Sequence, residues 1–207
     1  DGLLADSAGA KHPVAASWWA WLRRRLHARR SRREAAHGLY MALVEQARRP
    51  VFYAEWGVPD SRDGRLEMVT LHAMLVMRRL RVEGPAGAEL SQTLFDVMFA
   101  DLDRHLREWG VGDLSVGKEV KKLAQSFFGR LTVLDPLLSG SDADAMDAVL
   151  RRNVYTEVAA PDPVSVRRLG TYLEHQDRWL AEQDGMTLLT GHVAFAPVGS
   201  LDRDAAA

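Results

Sequence analysis

Apolar residues along this chain recur every three or four positions, the spacing that lines them up on one face of an α-helix. No run of strict two-residue alternation is long enough for a sheet. A first helix is predicted from about Ser17 to Arg48. The stripe of its back half is Leu39, Tyr40, Leu43, Val44 and Ala47, and Gly38 is a candidate bend or break. Pro50 ends it, because a proline pushes the residue before it out of helical backbone. Residues 51–64 read as an irregular loop. They carry Phe52, Tyr53 and Trp56 among turn residues, so the loop should be pinned onto the body of the protein.

A second helix is predicted over Arg65–Val82. Leu66, Val69, Ala73, Val76 and Leu80 form one stripe, and Met68, Leu71 and Leu75 form another. Apolar on most sides, it should be the central helix. His72 inside it is expected to be a hydrogen-bonded core histidine, since a buried polar group must find a partner. Gly84-Pro85 stops this helix. A third follows over Ala88–Trp109, with Leu94, Met98, Leu102, Leu106 and Trp109 as its stripe and Gly110 as its C-terminal cap. A fourth is predicted over Val116–Leu134, capped by Asp113 or Ser115. A fifth starts at Ser141–Asp144 and ends near Asn153. A sixth starts at Asp162-Pro163 and closes near Gln183. The expected fold class is all-α: a single globular domain of about six helices with short loops. The expected organisation is a disordered leader (1–16), a basic amphipathic arm (17–37), a helical domain (38–185) and a C-terminal tail (186–207).

Composition sharpens this picture. The 207 residues are 47% apolar and 27% charged, enough for a sizeable core. The absence of cysteine excludes disulfides, thiolate catalysis and thiolate metal sites. The longest apolar run, Met68–Met77, is interrupted by Thr70 and His72, whereas a bilayer span needs roughly 20 residues. Net charge is −1, yet residues 1–49 hold ten Lys or Arg against four Asp or Glu. That asymmetry points to a basic arm that meets something anionic. Within it, Trp18, Trp19, Trp21 and Leu22 precede Arg23, Arg24, Arg25, Arg29, Arg30, Arg32 and Arg33. Tryptophan prefers the headgroup level of a membrane, and each arginine there gains roughly 1 kcal/mol near an anionic surface. An RNA-binding arm is the competing reading. The membrane is preferred because the aromatics form a block and are not interleaved with the arginines.

Enzymatic signatures are missing. There is no GxxxxGK[ST], no GxSxG, and Gly110-Val111-Gly112 lacks dinucleotide-binding spacing. Asp101 and His105, four apart on the third helix, share a face as metal ligands often do. One helix supplies only two ligands, however, and no HExxH or ExxH partner is present. Local ion pairs, Asp103 with Arg107 and Asp101 with Arg104, are the expectation instead, with no metal and no cofactor. A metal-dependent hydrolase built on Asp101 and His105 is the enzyme alternative.

Three ordered segments resemble the ubiquinol–cytochrome c chaperone family. The first is Phe52-Tyr53-Ala54-Glu55-Trp56-Gly57-Val58-Pro59-Asp60 with Asp63-Gly64-Arg65. The second runs from Leu90 through Phe95-Asp96-Val97-Met98-Phe99-Ala100-Asp101-Leu102-Asp103 and Leu106-Arg107-Glu108-Trp109-Gly110-Val111-Gly112-Asp113. It continues through Val116-Gly117-Lys118, Val120-Lys121-Lys122 and Phe127-Phe128-Gly129-Arg130. The third is Leu150-Arg151-Arg152-Asn153-Val154-Tyr155. The resemblance covers about residues 38–156, with small departures at Leu66 and Trp109. It implies a non-enzymatic assembly chaperone that binds newly made cytochrome b and promotes biogenesis of the bc1 complex. Its partners would be cytochrome b or assembly intermediates and an anionic membrane surface, with a ribosome or a small partner protein as further candidates and no DNA. The Ala-, Arg- and Asp-rich composition looks like that of a bacterial homologue, which would sit at the cytoplasmic face of the inner membrane or in the cytoplasm. A mitochondrial member would sit on the matrix side. Motif positions suggest a gripping face from Phe52, Tyr53, Trp56, Asp60, Arg65, Arg79, Asp96, Asp103, Arg107, Asp113, Lys118 and Lys122. A helical adaptor for RNA or the ribosome remains the alternative.

Overall fold

The computed structural model describes residues 13–108, 113–140 and 142–198; the side chains of 13–22, 106 and 113–115 lie outside that description. Among the described residues every regular element is a helix, in the order α1 (Pro13–Ala47), α2 (Pro50–Ala54), α3 (Arg62–Arg81), α4 (Gly84–Glu108), α5 (Asp113–Leu137), α6 (Ala143–Asn153), α7 (Pro163–Ala181) and α8 (Gly185–Leu189). The long helices are those the periodicity predicts. Their starts are fixed by side chains that satisfy the free N–H groups of a first turn. Ser61 Oγ accepts from the Gly64 amide at 3.1 Å for α3, and Asp142 accepts from Ala145 at 2.9 Å for α6. Asp162 accepts from Ser165 at 3.0 Å for α7, with Pro163 in its first turn. These three contacts use residues marked in the sequence as starts or turns.

Helix α3 is the centre, packed against α1, α4, α5, α7 and α8. Met68, Ala73, Met74, Leu75, Val76 and Leu80 on it have no exposed surface. His72 is buried as expected. Its Nδ1 lies 2.7 Å from the Met68 carbonyl, which only accepts, so that nitrogen carries the proton. Nε2 therefore accepts from the Tyr172 hydroxyl at 2.8 Å. Gln46 in turn donates to the Tyr172 oxygen at 2.8 Å. This chain of bonds ties α1, α3 and α7 together.

Several boundaries differ from expectation. Helix α1 begins at Pro13 rather than Ser17, so residues 13–16 belong to it and not to a leader; residues 1–12 lie outside the described set. Helix α1 runs unbroken through Gly38. That glycine serves a close approach instead: a Cβ placed there would stand 2.6 Å from the Gly191 carbonyl oxygen. Gly191, with φ +93, holds a conformation that other residues rarely adopt. Gly38→Ala should lower stability by about 1 kcal/mol or more. The overpacking cost of roughly 1–3 kcal/mol against rigid backbone exceeds the gain of about 1 kcal/mol in helix propensity. Urea unfolding measures it, and a stabilised variant would refute the close approach.

The loop expected at 51–64 contains a short helix, α2, that turns Phe52 into the core. The predicted tail also folds in part. Leu188 and Ala196 are buried, and the Phe195 ring lies 5.3 Å from that of His72. Gln176 clamps Ala196 through two bonds of 2.9 Å, donating to its carbonyl and accepting from its amide. Residues 186–198 therefore belong to the body.

Candidate functional site

A groove of about 760 Å³ opens between α1, α3, α4, α5 and the end of α6. It lies beside the central helix, where five helices diverge and leave an apolar strip uncovered. Val44, Leu66, Val69, Met98, Leu102 and Leu123 supply its aliphatic surface. Charged and polar groups ring it: Arg48 just past the end of α1, Arg62, Asp63, Arg65 and Glu67 from α3, Asp101 and His105 from α4, Glu119, Lys122 and Arg130 from α5, and Arg152 from α6.

Much of this charge is already partnered. Tyr40 donates to Asp101 Oδ2 at 2.7 Å, joining α1 to α4. Burial and that bond to Asp101 push the Tyr40 hydroxyl well above its ordinary pKa. Burial acts to raise the Asp101 carboxyl, but the bonds from Tyr40 and Arg104 outweigh it and hold it below its usual range. His105 Nδ1 donates to the Asp101 carbonyl at 2.9 Å. Asp103 and Arg107 form the expected i,i+4 pair at 2.8 Å, and Asp101 pairs with Arg104 as expected. Arg65 Nε donates to Asp60 at 2.6 Å, and its guanidinium stands 5.5 Å from the Tyr53 ring centre. Glu67, on the groove wall, pairs with Arg130 while its other oxygen is buried with no hydrogen-bond partner. Burial outweighs the Arg130 guanidinium and pushes the Glu67 carboxyl up to about 7.

The structure sorts the residues singled out in the sequence into three groups. Arg65 and Lys122 line the groove. Tyr53 and Asp60 stand just behind Arg65; the Tyr53 hydroxyl, pushed up to about 12 by burial, donates to the Ala47 carbonyl at 2.7 Å. Others are engaged elsewhere. Phe52 and Trp56 are buried, packed edge-on against each other and Tyr172 at 5.1–5.6 Å, so they build the core and offer a client no surface. Arg79 closes the C-terminus of α7, donating to the Leu180 carbonyl at 2.9 Å and the Gln183 carbonyl at 2.7 Å, and pairs with Glu83. Asp96 accepts from Gln92 one turn earlier at 2.9 Å. Lys118 is exposed away from the groove lining. The Asp113 side chain lies outside the described residues.

Residues not marked as gripping residues in the sequence include Tyr40, Arg48, Glu67, Met98, Arg130 and Arg152, and His105 is weighed there only as a metal ligand. Each looks ordinary on its own helix. Only the shared stripes of α4 and α5, with Met98, Leu102 and Leu123, hinted at part of the floor.

On the arm, Arg23, Arg24, Arg25, Arg29, Arg30 and Arg33 are exposed on α1, while Arg32 pairs with Glu89. Arg30 pairs with Glu34 at 2.9 Å. The side chains of Trp18, Trp19, Trp21 and Leu22 lie outside the described residues. No helix among the described residues is long and apolar enough to cross a membrane.

The elements that build this groove are shared with known proteins. The family model described as ubiquinol-cytochrome C chaperone matches residues 54–195, which hold all of the groove except its α1 wall. The ubiquinol-cytochrome-c reductase complex assembly factor 1 of Xenopus laevis is 24% identical over 169 residues, covering 81% of this chain and 84% of that protein. The Mus musculus factor of the same name is also 24% identical, over 79% of this chain, but only 55% of its own length is spanned. The crystal structure of the Cbp3 homolog from Brucella abortus superposes with a TM-score of 0.74 at 34% identity, covering 87% of this chain and 97% of that one. The match extends past the segments that carry the sequence resemblance, through α7 and α8 to residue 195. The chain belongs to the ubiquinol–cytochrome c chaperone family.

Proposed function

We propose that this protein is a chaperone for assembly of the bc1 complex, that it holds newly made cytochrome b, and that the five-helix groove is where it grips. The groove carries this reading: Leu66 and Val69 of α3, Leu102 of α4 and Leu123 of α5 stay partly exposed within a charged ring. Such a surface suits an apolar segment before that segment finds its place in a larger assembly. Arg65 and Lys122 are the gripping residues common to the family segments and the groove. The protein acts by binding; it lowers the exposure of a client and needs no reaction at the site.

Co-purification tests this. The tagged protein drawn from native membranes should bring cytochrome b with it. Recovery of no bc1 subunit would sink the proposal.

The arm supplies a means of staying at the bilayer. Seven arginines between residues 23 and 33 give α1 a cationic front, and the body starts behind them at Ala35, Ala36 and Leu39. Removing residues 1–33 should release the protein from anionic vesicles. The loss should exceed tenfold, at roughly 1 kcal/mol per arginine near the surface. Circular dichroism should show the helical body intact. Vesicle binding that survives truncation would place the anchor elsewhere. Salt-sensitive binding to ribosomes with indifference to vesicles would favour the RNA reading.

A further inference from the structure

The charges around the groove are not equivalent. Arg62 and Arg65 are each neutralised by a carboxylate of the protein itself, Asp63 at 3.1 Å and Asp60 at 2.6 Å, and Arg130 is engaged by Glu67 on the groove wall. Arg48, Lys122 and Arg152 are different. All three are exposed on the groove lining, and among the described residues none makes an ion pair or side-chain hydrogen bond. Arg48 follows directly on the end of α1, Lys122 is on α5 and Arg152 on α6, so they stand on three separate walls. Glu119 is the opposing unpaired carboxylate among the described lining residues, so the unpaired charge around the apolar strip is positive.

Size and shape narrow what would fit. A helix of about 10 Å diameter and 5.4 Å pitch occupies roughly 400 Å³ per turn, so the groove accepts about two turns. Its aliphatic strip matches one face of such a helix, with contacts at i, i+3, i+4 and i+7. Cations on separate walls suit several carboxylates set along the edges of a helix, rather than one headgroup.

From this charge pattern we infer that the groove selects an amphipathic helix edged with carboxylates, held by Arg48, Lys122 and Arg152 above an aliphatic floor. This rests on the groove being the client site and names the chemistry of the segment it takes. The cations contribute partner choice more than bulk affinity, which the aliphatic floor supplies.

The test uses the full chain and two synthetic helical peptides that share one leucine stripe. One carries glutamates on the flanking positions, the other lysines. In fluorescence anisotropy the glutamate peptide should bind at least about tenfold more tightly at low salt, and the gap should shrink as salt is raised. The triple variant Arg48→Glu, Lys122→Glu and Arg152→Glu should reverse the preference and favour the lysine peptide. All three side chains are exposed, so circular dichroism should be unchanged. Equal binding of the two peptides, binding of neither, or a triple variant that keeps the glutamate preference would overturn the inference. So would uptake of a single-chain fatty acid by a groove that ignores both peptides. The outcome is separable from the proposed function: cytochrome b recovered by pull-down with no charge preference in the peptides removes the inference alone.

Discussion

Tyr172→Phe should cost about 2–6 kcal/mol of stability, although it removes a single oxygen. That oxygen joins two groups which have no other route to a partner. It accepts from Gln46 Nε2 and donates to His72 Nε2, both at 2.8 Å. Gln46 is 4% exposed, and His72 and Tyr172 have no exposed surface. With the hydroxyl gone, a buried donor and a buried acceptor are stranded, each at about 1–3 kcal/mol. Nothing offsets this, because the phenyl ring keeps its edge contacts with Phe52 and Trp56. Urea unfolding measures the loss. A change under about 1 kcal/mol would show that the bond chain is incidental to the fold. The same network explains why His72 sits on the buried central helix: neutral, with its tautomer set by the Met68 carbonyl, it ties α3 to the Tyr172 hydroxyl at which α1 and α7 meet.

The second large effect concerns pH. Burial lowers the His72 pKa from 6.5 to about 4 and raises that of Glu67 from 4.5 to about 7. Between pH 4 and 6.5 the unfolded chain holds the His72 proton and the folded one does not. His72 therefore makes stability rise with pH across that window, by about 3 kcal/mol in all. Between pH 4.5 and 7 the folded chain holds the Glu67 proton and the unfolded one does not. Glu67 makes stability fall with pH, by a similar amount. The two slopes oppose each other from pH 4.5 to 6.5 and leave the parent protein nearly flat there. Glu67→Gln removes one of them. Its stability relative to the parent should grow by about 3 kcal/mol from pH 4.5 to 7, and the variant alone should weaken on acidification below pH 6.5. The neighbours that face Glu67, Asp63 on its own helix and Arg130 on α5, are retained in both proteins. Denaturant midpoints at a series of pH values give the comparison. Parallel curves for the two proteins would disprove a buried, protonated Glu67.

The aromatic residues at 52–56 show where sequence reasoning stopped. Phe52, Tyr53 and Trp56 belong to a segment shared with the family, among turn residues, and that combination suggested a gripping face. The Phe52 and Trp56 rings instead pack into the core against Tyr172 of α7, while Tyr53 stays half-buried beneath the Arg65 guanidinium. A motif position carries no information about which way a short helix faces. Arg79 makes the same point: on its helix it reads as a solvated cation, yet the C-terminal carbonyls of α7 end within its reach. Gly38 read as a break, since the partner that needs its missing side chain, Gly191, lies 153 positions further along the chain.

Local chemistry is what the sequence settled alone. The stripes of α3, α4 and α5, the capping residues Asp142 and Asp162, the i,i+4 pair of Asp103 and Arg107, and the arginine front of α1 all depend on groups within a turn or two of one another. At that range, spacing decides contact. The groove, the bond chain from Gln46 to Met68 and the division of arginines into neutralised and unpaired were decided by tertiary packing. They join residues tens of positions apart, and which of those meet depends on the angles at which α1, α4, α5, α7 and α8 settle around α3.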